Sequence, residues 1–88
     1  MRRWTQIFKV LANINRLKII KLLADGGALS VSDIAAEIRI SFNATSKHLI
    51  LLNNLDVLES EGRQGHVFYT LNQKMLADTK RVVNLFIN

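Results

Sequence analysis

The sequence predicts a mostly α-helical domain with one β-hairpin, in the order α-α-α-α-β-β-α. Three observations lead there. Apolar residues recur at helical spacing near both ends of the chain, and glycines occur in only two places, Gly26-Gly27 and the pair Gly62 and Gly65. Two β-prone runs stand on either side of that second pair. A chain of 88 residues, 49% hydrophobic and 22% charged, suits a single globular domain spanning 1–88.

The first helix follows from Trp4, Ile7, Phe8 and Leu11, one apolar stripe at helical period. Asn13 and Asn15 are both candidate N-caps for a second helix, which runs to about Asp25 before Gly26-Gly27 stops it. Lys18, Lys21 and Asp25 form its narrow polar stripe, while Leu17, Ile19, Ile20, Leu22, Leu23 and Ala24 cover most of the remainder. A helix this apolar belongs at the centre of the fold.

Ser30-Val31-Ser32-Asp33 has the form of a capping box and opens a short helix through Ile34, Ala35 and Ile38. Arg39-Ile40 breaks that pattern, and Ser41 caps a fourth helix reaching about Asn54. Val57–Glu61 and His66–Leu71 read as strands around a four-residue turn, Gly62-Arg63-Gln64-Gly65. A last helix covers roughly Gln73 to Ile87.

Two short helices joined by a tight turn, the second amphipathic and followed by a two-stranded wing, make a winged helix-turn-helix. The helix-turn-helix spans about 31–54 and the wing about 57–71. On the fourth helix, Phe42, Asn43, Ser46, Lys47, Ile50, Asn53 and Asn54 share one side, and Ala44, Thr45, His48, Leu49, Leu51 and Leu52 share the other. The second set is the core face. The first suits base edges in a major groove: Asn pairs with adenine, Ser donates or accepts, Lys reaches guanine or phosphate, and Ile50 meets a thymine methyl. The candidate DNA-binding residues are therefore Ser41, Phe42, Asn43, Ser46, Lys47 and Ile50. Arg63, Gln64 and His66 join them from the wing. Phe42 borders both faces and serves either a thymine methyl or the cover of the turn; His66 is either a phosphate contact or an exposed strand residue. His48 lies at the edge of the core and reads as a hydrogen-bonded structural histidine.

Twelve Lys and Arg against seven Asp and Glu give a net charge of +5, which favours a nucleic-acid partner. Cysteine is absent and only two His are present, so thiolate and histidine-built metal sites are not expected, nor is any cofactor. No nucleophile–base pair, paired acids or glycine-rich phosphate loop argues for an enzyme. No apolar run approaches the length of a membrane span or a signal sequence, so a cytoplasmic protein is expected, and Asn43-Ala44-Thr45 is discounted as a glycosylation site.

Apolar residues on both terminal helices exceed what so small a core needs. Trp4, Ile7, Phe8 and Leu11, with Val82, Val83 and Phe86, are expected to form a dimer seam. Two-fold symmetry would set two recognition helices about one turn of duplex apart, so the expected partner is double-stranded DNA carrying an imperfect palindrome. The alternative is a winged-helix module for protein contact without a DNA role, since Lys47 is the one cation on the outward face.

Leu29-Ser30-Val31-Ser32-Asp33-Ile34-Ala35, Ser46-Lys47-His48-Leu49 and Arg63-Gln64-Gly65-His66-Val67-Phe68-Tyr69-Thr70-Leu71 together resemble the ArsR/SmtB family of small prokaryotic repressors. Asn13-Ile14-Asn15-Arg16-Leu17 is similar to the Asp-Pro-Thr-Arg-Leu that opens the family's second helix, and the likeness runs from about residue 4 to residue 72. It implies a homodimeric repressor bound to an operator, with the recognition helix at Ser41–Asn54, the wing tip at Gly62–Gly65 and the terminal helices as the dimer interface. The departures are specific. The family's metal sensors open their third helix with Leu-Cys-Val-Cys-Asp-Leu, where this chain has Ser30 and Ser32, and a serine hydroxyl is a poor ligand for soft ions. The last helix offers Asp78 but no His, so metal sensing by either route is not expected and the residues name no effector. Arg39 replaces the glycine common in the turn, so the backbone there is expected to avoid positive φ while setting a guanidinium near phosphate. Ile50 stands where a basic residue is common, and Glu59 and Glu61 put acid beside the wing; both lower the pull on the DNA backbone.

Overall fold

The computed structural model describes residues 2–87, apart from the side chains of Arg3 and Trp4. Helix α1 (Arg2–Leu11) turns Ile7, Val10 and Leu11 inward. Asn13 ends the corner: its side-chain oxygen accepts the N–H groups of Asn15 and Arg16 at 3.0 and 3.2 Å, so Asn13 rather than Asn15 caps α2 (Ile14–Gly26). Gly27 closes that helix at φ 75°, donating to the Leu23 carbonyl, a conformation that glycine reaches without a Cβ clash.

Helix α2 is central, as its apolar circumference predicts. Ile19, Ile20 and Leu23 are buried, Lys18, Lys21 and Asp25 stay in solvent, and the helix touches every other helix as well as the sheet. A two-residue strand, β1 (Leu29–Ser30), leads into α3 (Val31–Ile38), then α4 (Phe42–Asn54), strands β2 (Leu58–Arg63) and β3 (His66–Leu71), and α5 (Ala77–Ile87).

Three expectations are corrected. The hairpin gains a third strand, because β1 pairs with β3 through Leu29–Tyr69 and Ser30–Phe68 to give the antiparallel order β1-β3-β2. The hairpin turn has two residues, not four. Arg63 pairs directly with His66, and Gln64 and Gly65 take φ 49° and 82°, the doubly left-handed turn whose twist matches that of the strands. Helix α5 starts at Ala77 instead of near Gln73, because Asn72 holds the preceding segment in a bend. Its amide donates to the Asp56 carbonyl at 2.8 Å, and its side-chain oxygen accepts the Lys74 N–H at 2.9 Å.

The core lies between α2 and the sheet and draws on every helix: Ile7 and Leu11, Ile19 and Leu23, Ile34, Leu49 and Leu52, and Val82 and Val83 all pack within it, with Tyr69 from β3. Of the residues expected at a dimer seam, four turn inward within one chain. Ile7, Leu11, Val82 and Val83 are buried there because α1 and α5 both pack on α2. Of the expected set, Phe8 and Phe86 remain exposed, and the Trp4 side chain lies outside the described residues. Every buried side-chain nitrogen and oxygen among the described residues has a hydrogen-bond partner.

Candidate nucleic-acid interface

The helix-turn-helix is built from two serine caps and one strained residue between them. Ser30 Oγ accepts the Asp33 N–H at 3.2 Å and starts α3; Ser41 Oγ accepts the Ala44 N–H at 3.1 Å and starts α4. Between the helices, the N–H groups of Arg39 and Ile40 both bond the Ala35 carbonyl, which requires Arg39 to be left-handed, at φ 61° and ψ 46°. The expectation that an arginine here avoids positive φ is overturned. The packing of α4 on α3 dictates the sharpness of the turn, and the side chain accepts the Cβ strain.

Helix α4 is anchored on one side by Thr45, Leu49 and Leu52, all fully buried, and Thr45 Oγ1 also donates to the Ser41 carbonyl at 2.8 Å. This leaves Phe42 (54% exposed), Asn43, Lys47 and Ile50 (51% exposed) in solvent, with Ser46 half-buried beside them. One residue departs from the expected faces: Leu51, assigned to the core, is 36% exposed at its edge. His48 is half-buried, and its Nδ1 accepts a hydrogen bond from Arg16 Nε at 3.2 Å. Burial and then the neighbouring Arg16 charge hold its pKa below the usual histidine value.

The wing stands beside this helix. Phe42 shares a groove of about 200 Å³ with Ser30, Val31, Ser32, Gly65, His66 and Val67, which lies below the roughly 300–1,000 Å³ of ordinary small-molecule sites. Arg63 and His66 face each other as the last strand pair, and Gln64 stands at the tip. Arg63 is already engaged: Glu61, two residues back on the same strand face, accepts its guanidinium at 3.0 Å, and the Phe68 ring centroid lies 5.7 Å from it. That hydrogen bond and the Arg63 charge lower the Glu61 pKa. The pairing was readable in principle from the i, i+2 spacing of opposite charges on one strand. The left-handed Arg39 carries no such sequence signal.

Ser41, Phe42, Asn43, Ser46, Lys47 and Ile50 thus lie on one helix, and Arg63, Gln64 and His66 at one hairpin end; only Phe42 and His66 are seen to share a groove. Ser41 has a structural duty as a cap. Among the described residues, no group of three or more His, Cys, Asp or Glu could hold a metal ion, and no helix is long and apolar enough to cross a membrane.

A helix-turn-helix with an exposed second helix and a two-stranded wing defines the winged helix-turn-helix class. Comparison with known proteins narrows the class. The profile of the bacterial regulatory protein family arsR matches residues 13–60. The chain is 33% identical over 82 residues to the transcriptional repressor SdpR of Bacillus subtilis (strain 168), covering 93% of this chain and 90% of that one. It is 41% identical over 70 residues to the cadmium resistance transcriptional regulatory protein CadC of Listeria innocua serovar 6a, covering 78% of this chain but 59% of that one. The solution structure of Mb0332 from Mycobacterium bovis, a homodimeric winged helix-turn-helix DNA-binding domain, superposes with a TM-score of 0.80. It is 26% identical, and the match covers 96% of this chain and 74% of that one. The chain belongs to the arsR family of bacterial regulatory proteins; it is a DNA-binding transcription regulator and not an enzyme.

Proposed function

We propose that two copies of this chain bind an imperfect palindrome in duplex DNA and repress transcription from it. The observation that carries this reading is the division of α4. Thr45, Leu49 and Leu52 are consumed by the core, and the polar side with Asn43 and Lys47 is left over with the wing alongside. Asn43, Ser46 and Lys47 read base edges, Phe42 and Ile50 meet thymine methyls, and Arg63, Gln64 and His66 lie along the backbone or minor groove. The likeness to a transcriptional repressor over nearly the whole chain supports repression, and the homodimeric Mb0332 domain supports pairing. Exposed Phe86 (47%) and Leu85 (77%) on α5, with Phe8 on α1, supply apolar surface for that pairing.

The regulator is proposed to lack the soft-metal sensor at the start of α3. Ser30 Oγ caps that helix, Ser32 carries only a hydroxyl, and the chain has no cysteine. It works in the cytoplasm, with the DNA that it reads.

Selection from randomised duplex DNA, followed by fluorescence anisotropy at two salt concentrations, tests the reading. Enrichment of a palindrome whose binding is lost with Asn43→Ala and Lys47→Ala is the expected result. Weak binding without an enriched site, abolished by salt and unchanged in both variants, would turn the assignment to a protein-contact module.

A further inference from the structure

We propose that Arg39 is a phosphate-contacting residue of the DNA interface, held in a left-handed backbone at the corner of the helix-turn-helix so that its guanidinium stands at the start of the recognition helix. The inference rests on the DNA-binding reading above and adds a residue to it.

The turn itself has no use for an arginine. Its two hydrogen bonds to the Ala35 carbonyl come from backbone N–H groups, and the left-handed φ of 61° is one that glycine reaches with less strain. Among the described residues, no hydrogen bond, ion pair or ring contact engages the guanidinium, and the residue is exposed. Asp56, also left-handed, makes an instructive contrast. Aspartate tolerates this region better than most residues, and its carbonyl secures Asn72 at 2.8 Å. At Arg39 the turn fixes the backbone through the Ala35 carbonyl, but no contact inside the fold calls for the arginine side chain.

Position supplies the external reason. Arg39 lies two residues before the Ser41 cap, beside the exposed Phe42 and Asn43 and next to the N-terminus of the thirteen-residue α4, whose dipole also favours anions. Other cations near this surface are few. Arg63 is held by Glu61, whereas no ion pair among the described residues engages Arg39 or Lys47, the two cations on the turn and on α4. A side chain kept at the cost of backbone strain, charged, unengaged and adjoining the helix that enters the groove, is placed to grip the DNA backbone.

The test uses the full chain with a fluorescent mixed-sequence duplex, titrated over roughly 50–200 mM salt, because phosphate contacts register without an operator. Arg39→Gly is expected to weaken binding roughly tenfold per contact at the low-salt end and to lower the salt slope by about 0.9 per contact. Its thermal midpoint is expected to rise by a few degrees, since the strain is relieved; affinity lost with stability gained cannot be unfolding. Arg39→Lys should keep the slope. Wild-type binding with an Arg39→Gly variant that matches it in affinity and slope would overturn the proposal and leave the DNA reading intact. A wild-type chain that fails to bind duplex even at low salt would overturn both.

Discussion

Arg16 and His48, 32 residues apart in the chain, are joined by a 3.2 Å hydrogen bond in which the arginine Nε donates to the histidine Nδ1. The same guanidinium donates through Nη1 to the Val10 carbonyl at 3.1 Å. One side chain on α2 therefore ties the end of α1 to the inner edge of the recognition helix. The bond requires a neutral imidazole, with its hydrogen on Nε2, because a protonated ring has no acceptor to offer.

Acid should therefore loosen this junction. His48 titrates below its ordinary 6.5 in the folded chain, chiefly through burial and secondly through Arg16, so the unfolded chain binds the proton first. Its contribution is complete above pH 6.5 and is lost as pH falls through the depressed folded value. Urea midpoints measured at pH 7.5 and 5.5 should fall in the wild type and change less in His48→Gln. Equal pH dependence in the two chains would show that His48 is not the group responsible.

Glu61 should restrain the wing. Both partners of its ion pair with Arg63 are solvent-exposed, so the pair adds little to stability and its expected effect is on duplex binding. Glu61→Gln is expected to leave the thermal midpoint in place while raising duplex affinity several-fold at low salt and steepening the salt slope by about one. Anisotropy titrations of both chains at matched salt would measure it; an unchanged or weaker affinity would mean that Glu61 orients Arg63 for contact.

The sequence marks Ser41 both as a cap and as a candidate DNA contact, and its hydroxyl caps α4. Ser41→Ala should cost about 1 kcal/mol of folding stability, as N-cap losses do. Ser41→Asp, which preserves the cap acceptor, should recover most of that stability and still weaken duplex binding, because it sets a carboxylate beside phosphate. Denaturant unfolding and anisotropy on the two variants separate the duties.

The apolar residues of the terminal helices divide into two groups with different signatures. Leu11→Ala, at a position with no exposed surface, should cost about 2–5 kcal/mol, a large share of what an 88-residue domain possesses. Phe86→Ser should change the stability of one chain by only about 0.5 kcal/mol yet shift the monomer–dimer equilibrium, read by sedimentation across a concentration series. An unaltered sedimentation profile would remove Phe86 from the interface.

Much of the fold was legible because its signals are local. Serine or asparagine just before an apolar period marks a helix start, and Asn13, Ser30 and Ser41 all cap as their chemistry requires. The two faces of α4 follow from 3.6-residue geometry alone, and only Leu51 strays. His48 is the hydrogen-bonded histidine at the core edge that its angle implied, although nothing local named Arg16 as its partner.

What the sequence determined by itself was the helical order, the caps, the hairpin and the exposed polar face of α4, all encoded within a few residues of where they act. Tertiary packing decided the rest. Two residues carry no periodicity, so β1 exists only because β3 lies alongside it. An apolar stripe says that a surface will be covered but not by what, so Ile7, Leu11, Val82 and Val83 went to the core when α1 and α5 closed on α2. The left-handed Arg39 belongs with these. Its own Cβ disfavours that conformation, and the angle at which α4 packs on α3 overrides the local preference.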